Sequence, residues 1–129
     1  MLNTEFDLLP KSFPKELRHF DAHIYYHEKK RDLAVHLREK AISTFQSRAV
    51  FVGRMIDYPI GPHPVPMFEI NFPKHLLSEV SQWLLLHRGN LTVLVHEVTG
   101  NDERDHSLGA QWMGTPLDLD TSKFDFISD

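Results

Sequence analysis

The stretch FDAHIYY at 20–26 decides the fold. Phe20, Ala22, Ile24 and Tyr26 point one way and Asp21, His23 and Tyr25 the other, the two-residue period of a half-buried strand. The chain after it, HEKKRDLAVHLREKAISTFQS at 27–47, sets Ala34, Leu37, Ala41 and Phe45 at helical spacing. Val35 and Ile42 widen that stripe, and Lys, Arg and Glu lie opposite, so the spacing predicts an amphipathic helix. AVFVGRMI at 49–56 is apolar and β-branched and reads as a second strand, its alternation blurred by Gly53. DYPIGPHPVP at 57–66 holds four Pro and one Gly, which exclude a helix and leave a stiff loop carrying His63. MFEINF at 67–72 alternates again, with Phe68, Ile70 and Phe72 against Met67, Glu69 and Asn71. Pro73 opens a second helix with an apolar face of Leu76, Leu77, Val80, Trp83 and Leu84, and Gly89 follows its end. LTVLVHEV at 91–98 makes a fourth strand, Leu91, Val93 and Val95 opposing Thr92, Leu94 and His96, and TGNDERD turns the chain.

Strand, helix, strand, strand, helix, strand is the order of a ferredoxin-like α+β sandwich: four antiparallel strands in the order 4-1-3-2, with both helices on one face. The 129 residues and 15.0 kDa suit a single domain over 1–129. Residues 1–18, with Pro10 and Pro14, read as an extended arm, and 107–129 as a tail. That tail keeps Leu108, Trp112, Met113 and Leu117 and is expected to lie on the uncovered sheet face or on a partner chain. Met67, Thr92 and Leu94 on that face need such a cover, because an exposed apolar sheet is sticky.

Charge and composition narrow the chemistry. A net charge of −4 and a pI near 6.1 argue against nucleic acid as a partner. No apolar run approaches a membrane span and no secretory leader is visible, so a cytoplasmic location is expected. With no Cys, the strong metal ligands available are His, Asp and Glu, and nine His are many for this length.

If the helices cover the face of Ala22, Ile24, Phe68, Ile70, Val93 and Val95, then His23, Glu69 and His96 all point to the other face, on three consecutive strands. Strands one and three are expected to start at the same end, where the Pro-rich loop delivers His63 and strand four brings His96. His23, His63, His96 and Glu69 are therefore the expected metal ligands. An imidazole-rich set with one acid and open positions suits Fe(II), Mn(II) or Zn(II), and Fe(II) above all in non-haem oxygenases. A single strand His facing outward is more often a plain surface residue; four potential ligands on one patch outweigh that. His106 is the candidate acid or base, with Asp105 as its orienting carboxylate or a plain turn acid. Tyr25 and Arg54 are candidates to line a substrate pocket, the guanidinium by pairing with a carboxylate.

FDAHIYY, PIGPHPVPMFEINF, HRGNLTVLVHEVTGNDERDH and AQWMGTPLDLD together resemble the DOPA 4,5-dioxygenase family of fungi and bacteria, over roughly residues 19–120. The resemblance implies an extradiol dioxygenase that opens an aromatic ring with non-haem iron on a ferredoxin-like scaffold. His23, His63, His96 and His106 fall on the motif positions that such chemistry uses. It also implies a catechol-type, DOPA-like substrate and O₂. Two other readings stand beside it. One is a non-catalytic homodimeric binding module, with the open sheet face as interface or ligand site; the other is a zinc-dependent hydrolase with a bound water as nucleophile.

Overall fold

The computed structural model describes residues 19–124. The architecture is a ferredoxin-like α+β sandwich: β1 (Phe20–Tyr25), α1 (Arg31–Phe45), β2 (Phe51–Val52), β3 (Met67–Phe72), α2 (Leu77–His87) and β4 (Thr92–Glu97), followed by α3 (Asp102–Asp105) and β5 (Gln111–Met113). The expected four-stranded sheet has a fifth strand, in the order β2-β3-β1-β4-β5, because the tail pairs Trp112 with Leu94 on the edge of β4. The arm at 1–18 and the last residues of the tail lie outside the described residues. No helix among the described residues is long and apolar enough to cross a membrane.

Alternation in β1, β3 and β4 divides the molecule in two. Ala22, Ile24, Phe68, Ile70, Val93 and Val95 join the main core under the helices, with Ala34, Leu37, Ala41 and Phe45 of α1 and Val80 and Leu84 of α2. Ile42 does not belong to that stripe, being 42% exposed on the outer side of α1. The second strand is shorter than expected because Gly53 ends it: its N–H donates to the Glu69 carbonyl at 2.7 Å, and a Cβ there would lie 3.3 Å from the Glu69 side chain. At the other end of the sandwich Gly89, at φ 59°, ends α2 in the left-handed turn that glycine accepts at no steric cost.

The opposite face carries a second, smaller core of Tyr25, Ile56, Ile60, Met67 and Leu94. Trp112, Leu117 and Leu119 of the tail pack on it, as does Val65 of the Pro-rich loop. Met67 and Leu94 are therefore sealed by the chain itself, so the argument for a second subunit from a sticky sheet face has no basis here. Leu108, expected among the covering residues, is instead 90% exposed.

One expectation is overturned by the strand directions. β1 and β3 are antiparallel, with Tyr25 opposite Met67 and Phe20 opposite Phe72. The Pro-rich loop thus reaches the sheet at the Tyr25 end, while β4 places His96 opposite Asp21 at the other end. The loop folds back across the face: Ile56 bridges Met67, a turn joins Ile60 to His63, and the Pro62 carbonyl accepts from the Asp120 N–H. Its entry is clamped by Asp57, which accepts from the Tyr26 hydroxyl at 2.6 Å and from Nε and Nη2 of Arg31.

Candidate functional site

The site is assembled over the middle of the sheet face. His23 stands at the centre of β1, flanked in register by Glu69 and Leu94. Its ring lies 4.3 Å from that of His63, 5.2 Å from His96 and 5.7 Å from His106, centre to centre. All four imidazoles are buried, as are Asp21 and Glu69. Six titratable side chains withdrawn together from water need hydrogen bonds, mutual neutralisation or an ion to balance the loss of hydration.

Three of the four rings are held from outside. His96 Nδ1 lies 2.9 Å from the carbonyl of Glu97 and His106 Nδ1 2.7 Å from that of Asp102. A carbonyl only accepts, so in both rings Nδ1 carries the proton and Nε2 the lone pair. His63 Nδ1 is 2.7 Å from the Tyr25 hydroxyl. An outward nitrogen tied to a protein oxygen, with the inward one left for coordination, is the usual preparation of a metal-binding imidazole. α3 exists to place one of these rings. Asn101 caps it by accepting from the Arg104 N–H, and His106 follows its last residue. Asp105 does not orient His106; its carboxylate accepts from the Thr99 N–H and hydroxyl and ties the turn to the end of β4.

Two donor sets result, each with its atoms within 4.8 Å of one another: His23, His63 and His106, and Asp21, His23 and His96. His23 belongs to both. His63 and His96, expected to ligate together, fall in different sets, since they come from opposite ends of the sheet. Glu69 belongs to neither set; its Oε2 accepts from Asn71 Nδ2, which also donates to Asp21 Oδ1. Asp21, the carboxylate of the second set, was not among the expected ligands, whose acid was Glu69, although its parity with His23 in FDAHIYY was available to point to it. The spacing suits an ion. His23 Nε2 and His96 Nε2 are 3.1 Å apart, and two nitrogens about 2.1 Å from one ion at right angles stand about 3.0 Å apart.

Tyr25 touches His63 and is buried, so its hydroxyl faces the imidazoles. Arg54 is exposed and makes no hydrogen bond to the cluster among the described residues. Near the loop entry, the Arg31 guanidinium holds the Asp57 carboxyl below its ordinary range, helped by the Tyr26 hydroxyl. Burial pushes the Tyr26 phenol upward, and its bond to Asp57 adds to this.

A ferredoxin-like sandwich with a buried, imidazole-rich donor cluster on the sheet face away from α1 and α2 defines the class: a small α+β protein with side chains placed so that they could hold a metal ion. The particular family is also shown. The model of the Dopa 4,5-dioxygenase family matches residues 20–123, and the chain belongs to that family. It is 36% identical over 141 residues to an uncharacterized 21.2 kDa protein of Botryotinia fuckeliana, covering 95% of this chain and 76% of that one. It is 32% identical over 120 residues to a DOPA 4,5-dioxygenase of Amanita muscaria, covering 88% of this chain but 53% of the relative, about half its length. The crystal structure of "a putative dioxygenase" from Nostoc punctiforme superimposes with a TM-score of 0.80 at 36% identity, covering 88% of this chain and 96% of that one.

Proposed function

We propose that this protein is a non-haem iron extradiol dioxygenase that opens a catechol-type ring with O₂. The observation that carries the reading is the gathering of His23, His63, His96 and His106 with Asp21 in one buried cluster, three of the rings tied outward at Nδ1. Family membership and the name of the Amanita relative support it.

In this reading Asp21, His23 and His96 hold the ion, as the set of two imidazoles and one carboxylate that suits Fe(II) with positions left open. Glu69 acts from the neighbouring strand by fixing Asn71, and its charge with that of Asp21 offsets a divalent cation. Bound there, ferrous iron would supply Lewis acidity and a path by which electrons pass from the catechol to O₂. The protein's own groups move the protons. His106 has its Nδ1 proton committed to the Asp102 carbonyl, so Nε2 is the basic atom: it takes a catechol hydroxyl proton and returns it as the O–O bond breaks. His63, steadied by Tyr25, lies with its ring centre 5.5 Å from that of His106 and provides the second proton-holding position. Burial keeps bulk water from the open ring and strengthens each of these contacts. Both atoms of O₂ enter the product, a muconic semialdehyde. The protein acts in the cytoplasm on a small aromatic substrate.

The test is anaerobic loading with Fe(II), addition of a panel of catechols, and an oxygen trace with an absorbance record. Oxygen consumption with a new visible band from the semialdehyde is expected. Metal binding without oxygen uptake on any catechol contradicts the reading and leaves the zinc hydrolase; no metal binding leaves the non-catalytic module.

A further inference from the structure

Asn71 is fully buried in β3 between Ile70 and Phe72, a place where an amide costs free energy unless its hydrogen bonds are made. It stands opposite Asp21 of β1. Its Nδ2 donates to Asp21 Oδ1 and, at 3.3 Å, to Glu69 Oε2, so one amide nitrogen is shared between two carboxylates. Turned over, the amide would set its carbonyl oxygen against both anions, and that repulsion fixes which end faces Asp21. Asn71 Oδ1 makes no hydrogen bond among the described residues, so the carboxylates decide the orientation. Glu69 is confined in turn, since a Cβ at Gly53 would lie 3.3 Å from its Cγ. The oxygens of Asp21 are thereby divided. Oδ1 faces Asn71, and Oδ2 lies 3.9 Å from His96 Nε2, within the donor set of Asp21, His23 and His96.

Resting on the dioxygenase reading, with the ion held by that set, we propose that Asn71 is a positioning residue: by keeping Oδ1 for itself it makes Asp21 a one-oxygen ligand. The number of open positions depends on this. A six-coordinate ion with two imidazoles and one carboxylate oxygen keeps three positions, enough for both oxygens of a catechol and one further small ligand. A carboxylate binding through both oxygens would leave two, which the catechol alone fills. Asn71 thus preserves the position at which O₂ can enter beside a bound ring.

The test counts positions without turnover. Protein loaded anaerobically with Fe(II) is given 4-nitrocatechol, whose colour reports chelation, and then nitric oxide, a stand-in for O₂ whose iron adduct is read by electron paramagnetic resonance. Wild type is expected to hold both probes at once. Asn71→Leu, close in shape but without the donor, should bind either probe alone as wild type does. With nitrocatechol bound, its affinity for nitric oxide should fall at least about tenfold, the scale of losing a partner that orients a ligand. A role in stability alone would lower the Tm or the iron affinity of Asn71→Leu and leave nitric oxide binding to the nitrocatechol complex unchanged; that result overturns the proposal. Failure of wild type to hold both probes together overturns it as well, and that measurement needs no variant to fold. If both probes behave as expected but no catechol consumes O₂, the dioxygenase reading fails and the positioning role stands.

Discussion

His23→Ala is the most informative single substitution because His23 is the ligand common to both donor sets. Its removal leaves Asp21 with His96 in one set and His63 with His106 in the other, two ligands each. Loss of a partner that merely orients a ligand costs about 10–100-fold in metal affinity, so loss of the shared ligand should cost more than about 100-fold. The consequence can be read as stability. An ion present at about 100 times its Kd stabilises the folded chain by about 2.7 kcal/mol. In a domain of this size that is a rise in Tm of about 10 °C. The ring is fully buried, so its loss also destabilises the metal-free protein, by about 1–3 kcal/mol for the cavity and the lost bond to His96. The assay is therefore the difference between melts with and without Fe(II) under anaerobic conditions, each protein serving as its own reference. Wild type should gain about 10 °C at that excess and His23→Ala less than about 2 °C. A variant that keeps the full gain would refute the assignment of the ion to this cluster, whichever donor set is preferred.

Four further outcomes are expected. Tyr25→Phe removes the hydroxyl from His63 Nδ1 and should lower kcat/KM for catechol cleavage about 10-fold with metal content little changed, measured by oxygen uptake beside metal analysis. Leu94→Ala opens a cavity in the core beneath the tail and should cost about 3 kcal/mol in a urea melt; a loss under about 1 kcal/mol would mean that the tail does not seal this face. Asp57→Asn should loosen the entry of the His63 loop. Because the Arg31 guanidinium depresses the folded-state pKa of Asp57, its stabilisation is present above the ordinary carboxylate range and fades as pH falls through the lower folded value, so the gap in Tm between wild type and variant should close below about pH 4. A gap unchanged down to pH 2 would contradict that linkage. Gly114→Ala should destabilise the turn after β5, since Gly114 has φ 85° and a Cβ would come within 2.9 Å of the Arg88 guanidinium; equal melting of the two proteins would remove the need for glycine there.

Much of the fold was legible because its strands alternate cleanly. FDAHIY, MFEINF and TVLVHE each put one residue class on each face, so element type and side followed from period alone. β2 resisted, because its extent is set by Gly53 approaching Glu69 across the ladder, a contact between strands that a local pattern does not carry. β5 resisted too: QWM is three residues long, and its pairing depends on β4 having an open edge. At the site, parity placed His23, Glu69 and His96 together on the face away from the helices, and the register agrees. Parity says nothing of how far a loop folds back, so the approach of His63 from the Tyr25 end required coordinates. His106 could not be placed either, since a four-residue helix capped by Asn101 fixes it. Asp21 was within reach of the same parity argument that selected His23, and the structure sets it beside His96, with Oδ2 3.9 Å from Nε2.

The central claim is that one ion sits among these imidazoles, and anomalous diffraction at the iron edge from crystals grown anaerobically with Fe(II) tests it most directly. A single strong peak about 2.1–2.3 Å from His23 Nε2, on the side facing His96 and Asp21, is the predicted result. A map with no peak inside the cluster, or with iron at surface histidines such as His36 or His75 alone, would contradict it.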